Sequence, residues 1–116
     1  MGTINHNVVI ATSFLPEIVD KMKLWYQYLL KEEQSLITIS LRTEINGYTT
    51  FFCGPDGSKE GWTDSDKGDS LRDRFIQRLE ADTFEDGSSP WEWVEIGYGD
   101  YGQTVLRGNN TSREKK

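Results

Sequence analysis

The 116-residue chain is long enough for one folded domain with one hydrophobic core. Only 35% of its residues are hydrophobic, but four Trp, five Tyr and five Phe add large apolar surfaces, so the composition excludes a wholly disordered protein. A formal net charge of -6 argues against direct binding of nucleic acid, which requires a predominantly basic surface.

The first part of the chain predicts a strand, a long helix and a second strand. A short, nearly continuous apolar run predicts the first strand over residues 7–13. Pro16 suits the first turn of a helix, and the apolar residues after it recur at helical spacing, which predicts a helix over about 16–32. Apolar and polar residues then alternate over 36–43, as in a half-buried strand.

A tight hairpin turn is predicted at Asn46-Gly47, because both residues tolerate a positive φ. A two-residue turn at this point places Leu41 opposite Phe52 on the third strand. In this register the apolar face of the hairpin carries Leu41 and Phe52, whereas Phe51 lies on the opposite face.

The second part of the chain predicts a helix and two further strands. The helix begins at Asp66 or Asp69, whose carboxylates suit a helix start, and it ends near Asp82. Alternating residues predict a fourth strand over 91–98, and residues 103–107 are predicted to return as a short edge strand.

The element order is therefore β-α-β-β-α-β, which predicts an α+β domain of the ferredoxin-like, split β-α-β kind. In this fold an antiparallel sheet carries two helices on one face, and the extra C-terminal strand would lie at an edge of the sheet. The domain is predicted to span residues 1–107. Residues 108–116 are polar and are predicted to form a disordered tail.

The sheet face away from the helices is predicted to be an interface. With the register above, this face carries Arg42, Phe51, Trp91 and Trp93, an unusually aromatic set for a surface left to solvent. A second copy of the chain or another protein would cover it, so a homo-oligomer is expected. The alternative is that the rings pack under the C-terminal segment or the long loop.

A polar, glycine-rich segment before the second helix is the candidate ligand site. Its aromatic ring would stack on a base, its basic residues would hold phosphate, and its hydroxyl and carboxylate groups would bind ribose. The candidate ligand-binding residues are Lys59, Trp62, Ser65, Asp66, Asp69 and Arg72.

A structural interpretation of the same segment is favoured when spacing alone is considered. In this alternative Trp62 closes the end of the core, and the aspartates cap the helix and pair with Lys59 or Arg72. The sequence contains no recognisable catalytic motif, and with one histidine and one cysteine neither a metal nor a cofactor is predicted.

Three motifs resemble a group of small, largely uncharacterised phage-encoded accessory proteins. They are GSKEGW at 57–62, SDKGD at 65–69 and EDGSSP at 85–90, the last followed by WVE at 93–95. The resemblance implies a protein made during infection that acts in the host bacterial cytoplasm. It carries no catalytic mechanism. The short apolar stretches and the lack of a signal-peptide pattern in residues 1–10 agree with a cytoplasmic protein that does not bind membranes.

The leading functional hypothesis is a non-catalytic counter-defence protein that binds and sequesters a nucleotide-derived host immune signal. The alternative is a direct protein inhibitor of a host defence or nucleic-acid-processing enzyme, which the acidic surface would contact. A third class is an enzyme acting on a small phosphate ester, with Glu60, Asp66 or Asp69 as the general base.

Overall fold

The computed structural model of the chain describes residues 5–55, 63–100 and 102–109. Within these ranges the protein has a five-stranded antiparallel sheet and three helices, so the predicted α+β class is confirmed. The elements in chain order are β1 (Asn5–Ser13), α1 (Pro16–Gln27), α2 (Lys31–Gln34), β2 (Ile37–Ile39), β3 (Thr49–Cys53), α3 (Thr63–Ala81), β4 (Glu92–Gly99) and β5 (Gly102–Gly108).

Strand β1 lies at the centre of the sheet, whose strand order is β2-β3-β1-β4-β5. It pairs antiparallel with β3 on one side and with β4 on the other. Strand β5 pairs with β4 at the edge, so the chain does form an additional C-terminal edge strand. No helix in the part of the chain that the structure describes is long and apolar enough to cross a membrane.

The first helix is shorter than predicted. It ends at Gln27 rather than near residue 32, and the chain turns before the short helix α2 begins. The Gln34 side-chain amide donates to the Tyr26 carbonyl over 3.0 Å, and the Leu30 N–H donates to the Glu33 carboxylate over 3.0 Å. These bonds satisfy backbone groups at the C-terminal end of α1 and at the N-terminal end of α2, where no further partner within the helix exists.

The β2–β3 hairpin differs from the predicted register. Asn46 and Gly47 do adopt positive φ values of 62° and 66°, as the turn prediction requires. However, the Thr43 N–H donates to the Tyr48 carbonyl, and Tyr48 N–H donates back to the Thr43 hydroxyl, so the loop between them contains more than two residues. As a result Ile39 pairs with Phe51.

This change of register reverses the faces of the hairpin, because successive side chains of a strand point to opposite sides. Phe51 is fully buried, whereas Phe52 is 37% exposed and Leu41 is 91% exposed. The prediction that Leu41 and Phe52 face the core and that Phe51 faces away from it is therefore wrong. The predicted pairing of Leu41 with Phe52 is replaced by a pairing of Thr38 with Phe52.

The predicted aromatic interface belongs instead to the hydrophobic core. Phe51, Trp91 and Trp93 are buried together with apolar side chains of α1 and α3, so they cannot form an exposed docking face. The rings of Phe51 and Trp91 meet edge to face, with their centroids 5.6 Å apart. Arg42 is exposed in the loop between β2 and β3, and it is not one of the residues through which these strands pair.

The folded domain extends past its predicted end at residue 107. Gly108 pairs with Val94, and Asn109 holds the start of β4 through its side chain. Its amide donates to the Trp91 carbonyl and its side-chain oxygen accepts from the Trp93 N–H over 3.1 Å. Residues 110–116, the rest of the predicted tail, lie outside the described residues.

Replacing Asn109 with alanine should lower the free energy of unfolding by about 1–3 kcal/mol, because it removes both side-chain hydrogen bonds to β4. Urea unfolding monitored by tryptophan fluorescence measures this loss. Gln103→Ala is the control, since this exposed residue lies on β5, the strand that precedes Asn109, and should change stability by less than about 0.5 kcal/mol. Equal unfolding midpoints for the two variants would contradict an anchoring role for Asn109.

Candidate functional site

The predicted ligand residues are described only in part. Lys59 and Trp62 lie outside the described residues. Ser65 and Asp66 lie in the first turn of α3, but their side chains are outside the described set. The structure does bring Asp69 and Arg72 together on α3, where an Arg72 N–H donates to the Asp69 carboxylate over 2.6 Å. The helix begins at Thr63, so Asp69 lies inside it and does not cap it.

Arg72 connects α3 to the end of strand β3. Its side chain is only 5% exposed, and besides the bond to Asp69 it donates to the Gly54 carbonyl over 3.2 Å. A buried guanidinium with these partners stabilises the fold, because an unpaired buried charge is costly. This arrangement agrees with the structural alternative, in which an aspartate of the segment pairs with Arg72.

A cleft lies at the other end of α3, beside the C-terminal end of β1 and the N-terminal ends of β3 and β4. Its volume is about 580 Å³. The residues that line it are Thr12, Ser13, Phe14, Tyr48, Glu80, Asp82, Thr83, Phe84, Gly87, Ser88, Ser89, Pro90, Trp91, Glu92, Trp93 and Asn109.

Aromatic rings from three loops are among the side chains that line this cleft. Phe14 and Tyr48 meet edge to face with their centroids 5.8 Å apart. Phe14 is 49% exposed and Phe84, in the loop after α3, is 44% exposed. Sequence analysis did not single out these residues, because each lies in a loop and is far from the others along the chain. The one available signal was an apolar ring within a polar connecting segment.

The polar groups of the cleft are held in place by the surrounding loop. The Asp86 carboxylate accepts from both the N–H and the hydroxyl of Ser88, and these donors lower the pKa of Asp86. The Ser89 hydroxyl accepts from the Trp91 N–H over 3.0 Å. The loop therefore has a defined conformation, and a ligand would not need to order it on binding.

The charged side chains that line the described cleft are all acidic. Asp82 is buried and already paired, because its carboxylate accepts from Arg78 and from the Trp91 indole N–H, each over 3.1 Å. Glu80 and Glu92 are exposed at the cleft. The cleft consequently favours neutral or cationic groups and disfavours phosphate at close range. Among the described residues no cluster of His, Cys, Asp and Glu is suited to hold a metal ion.

The sheet face opposite the core presents a second candidate surface. We call it the open face, and its side chains are His6, Val8, Ile10, Thr12, Thr38, Thr50, Phe52, Glu92, Val94, Ile96, Tyr98, Gln103 and Val105. None of them belongs to the hydrophobic core cluster. The apolar members are adjacent across four strands, with Ile10 between Phe52 and Val94 and with Ile96 between Val8 and Val105.

Cys53 is fully buried on the core side of β3, and this burial raises the pKa of its thiol to about 12. We expect native protein to react with a thiol reagent at pH 9 far more slowly than urea-unfolded protein, because the thiolate is the reactive form. Ellman's reagent measures both rates. Rapid native labelling at a rate independent of denaturant would contradict the burial of this thiol.

The same pKa difference predicts a loss of stability at alkaline pH. The buried neutral thiol makes its full contribution to the free energy of unfolding below its ordinary pKa near 9. This contribution falls as the pH rises from 9 towards 12. The free energy of unfolding of the wild type should therefore fall more steeply above pH 9 than that of Cys53→Ala, by up to about 1.4 kcal/mol per pH unit. Parallel profiles would contradict this prediction.

Comparisons of the chain with protein-family models, curated proteins and solved structures give no match. The resemblance to phage accessory proteins stays a prediction. Inferences about function therefore rest on the cleft and on the open face.

Proposed function

We propose that this protein is a non-catalytic binding protein that sequesters a small nucleoside-type ligand in the cleft at the end of α3. The observation that carries the proposal is the combination of exposed aromatic rings with ordered polar groups around a space of about 580 Å³. Small-molecule sites are typically clefts of roughly 300–1,000 Å³ with apolar walls and a few fixed polar groups.

The groups in the cleft suit a heterocyclic base joined to a ribose. Phe14 and Phe84 expose ring surface on which a base can stack, and stacking of this kind contributes about 1–3 kcal/mol per base. Glu80 and Glu92 can accept hydrogen bonds from ribose hydroxyls or exocyclic amines. The chemistry therefore supports capture of the nucleoside part of a nucleotide-derived signal.

The acidic lining also determines where any phosphate must lie. A phosphate near Glu80 and Glu92 would be repelled, so the phosphates of a bound nucleotide must point out of the cleft. We expect a nucleoside to bind at least as tightly as its monophosphate at low salt. The difference should shrink as salt screens the repulsion.

Calorimetry and native mass spectrometry with nucleosides, mononucleotides, cyclic dinucleotides and ADP-ribose test this proposal. Phe84→Ala should weaken binding about 5- to 100-fold through lost stacking. Tyr28→Ala is the matched control, because this ring is 83% exposed at the far end of α1 and should leave affinity unchanged.

Two results would count against the cleft. Absence of binding across the panel would overturn sequestration of a nucleoside-type ligand. Binding that is unaffected by Phe84→Ala and lost in Asp69→Asn would return the site to the predicted ligand residues, of which Asp69 lies within α3 and is 56% exposed.

The sequestering role fits the counter-defence function that the phage resemblance implies. The ferredoxin-like arrangement forms part of the same proposal. It is supported by the order β2-β3-β1-β4 and by the position of α1 and α3 in the chain, after β1 and after β3.

Direct inhibition of a host enzyme is the second candidate function. The net charge of -6 favours an enzyme that binds nucleic acid, because the basic surface of such an enzyme attracts an acidic protein. Salt-sensitive co-purification of one host enzyme, together with inhibition of that enzyme by the pure protein, would support it. Retention of no host protein at low salt would count against it.

A further inference from the structure

We propose that two copies of this chain associate through their open faces, forming a dimer in which the two sheets pack against each other and the helices lie outside. Thr12 and Glu92 belong both to the cleft and to an outermost row of the open face, and association does not require a ligand in the cleft. It starts from the apolar residues of the open face, which are adjacent on neighbouring strands and yet do not contribute to the core.

The exposure of these side chains shows that residues 5–55, 63–100 and 102–109 of one chain leave the face uncovered. Phe52 is 37% exposed, Tyr98 39% and Val105 54%, while the β-branched residues between them are half-buried. A run of apolar side chains across β3, β1, β4 and β5 is larger than the scattered apolar residues that monomers normally expose.

The size of the open face suits a dimer. Five strands about 4.8 Å apart span about 19 Å, and the rows from His6 to Thr12 extend about 20 Å along β1, which is roughly 400 Å² in projection. Side chains make the accessible surface larger than its projection. The value is of the order of the roughly 800 Å² that each partner buries in a standard interface.

The distribution of charge favours a second copy as the occupant. The chain carries a net charge of -6, so two copies repel each other unless they meet where carboxylates are few. On the open face the ionisable groups, His6 and Glu92, lie in the two outermost rows, and the rows between them are uncharged. A partner recognised through opposite charge would instead need charged residues within this face.

The shape of the face also suits self-association. Rows of Val and Ile on a sheet pack well against a similar sheet about 10 Å away, as in β-sandwiches. A two-fold axis requires only that one surface be complementary to itself. Burial of this face in a dimer would remove its apolar side chains from water, which drives association.

Sedimentation equilibrium over a wide range of protein concentration tests the proposal on the full chain. We expect the wild type to dimerise and Phe52→Glu to weaken the dimer on the order of a hundredfold, because each copy would bury an unpaired carboxylate. Leu24→Glu is the matched control, since this residue is 53% exposed on α1 and should leave the dimer intact.

Val105→Glu provides a second test in case the Phe52→Glu variant does not fold. Val105 lies on the edge strand β5 and is more exposed than Phe52. It should also weaken the dimer, with a circular dichroism spectrum like that of the wild type. A wild-type chain that stays monomeric at the highest concentration would overturn the proposal. A dimer that resists both substitutions would also overturn it, because the interface would then lie elsewhere. So would a chain that stays monomeric and binds a host protein through its open face.

Discussion

Replacing Phe51 with alanine should lower the free energy of unfolding by about 3–5 kcal/mol, the usual cost of removing a large ring from a well-packed core. The side chain is fully buried in the core and meets Trp91 edge to face. Deleting the ring removes apolar burial and leaves a cavity beside the indole. Urea unfolding with fluorescence detection, performed at a fixed low protein concentration, gives the change.

The neighbouring residue supplies a control of identical chemistry. Phe52→Ala deletes the same ring from the open face, where the side chain is 37% exposed, and should cost less than about 1.5 kcal/mol in the dilute monomer. Any larger effect of Phe52→Ala should appear only at concentrations at which the dimer forms. If Phe52→Ala were the more damaging change in the dilute monomer, the face assignment of β3 would be wrong.

Asp82→Ala should lower the free energy of unfolding by about 2–4 kcal/mol. This buried carboxylate accepts from the Trp91 indole N–H and from the Arg78 guanidinium, each over 3.1 Å. Alanine leaves both donors without this acceptor, and a buried donor without a partner costs the free energy of its lost hydration. Urea unfolding measures the change, and hydrogen exchange of the Trp91 indole proton should become faster.

Two further substitutions separate the contributions of Asp82. Asp82→Asn retains an acceptor for the indole and removes the charge, so it should cost less than Asp82→Ala. Asp86→Ala, which removes an exposed carboxylate in the nearby loop, should change the free energy of unfolding much less than Asp82→Ala does. Equal effects of Asp82→Ala and Asp86→Ala would show that the buried hydrogen bonds contribute little.

The candidate site illustrates why sequence analysis reached only part of the answer. The pairing of an aspartate with Lys59 or Arg72 was one of the alternatives, and Asp69 and Arg72, three positions apart on α3, do form an ion pair. The contact of Arg72 with the Gly54 carbonyl depends on how α3 docks against β3. The cleft depends on tertiary structure even more, since Phe14, Tyr48 and Phe84 line one cavity only when β1, β3 and the loop after α3 come together.

The sequence by itself determined the class of the fold and the approximate position of its elements. The helical spacing after Pro16 and the alternation in residues 91–98 reflect local backbone geometry, and both predicted elements are present with shifted ends. The positive φ values of Asn46 and Gly47 were predictable for the same reason, because they depend on the residues themselves.

Only the tertiary structure decided which side of the sheet becomes the core. Phe51 and Phe52 are adjacent residues of the same type, and the pairing of β3 with β1 and β2 determines which ring is buried and which is exposed. A longer loop than the expected two-residue turn shifted that pairing and exchanged the faces of the hairpin. The aromatic residues expected at an interface therefore form the core, and the aliphatic residues on the other side form the open face. Long-range pairing sets this outcome, and local sequence patterns do not contain it.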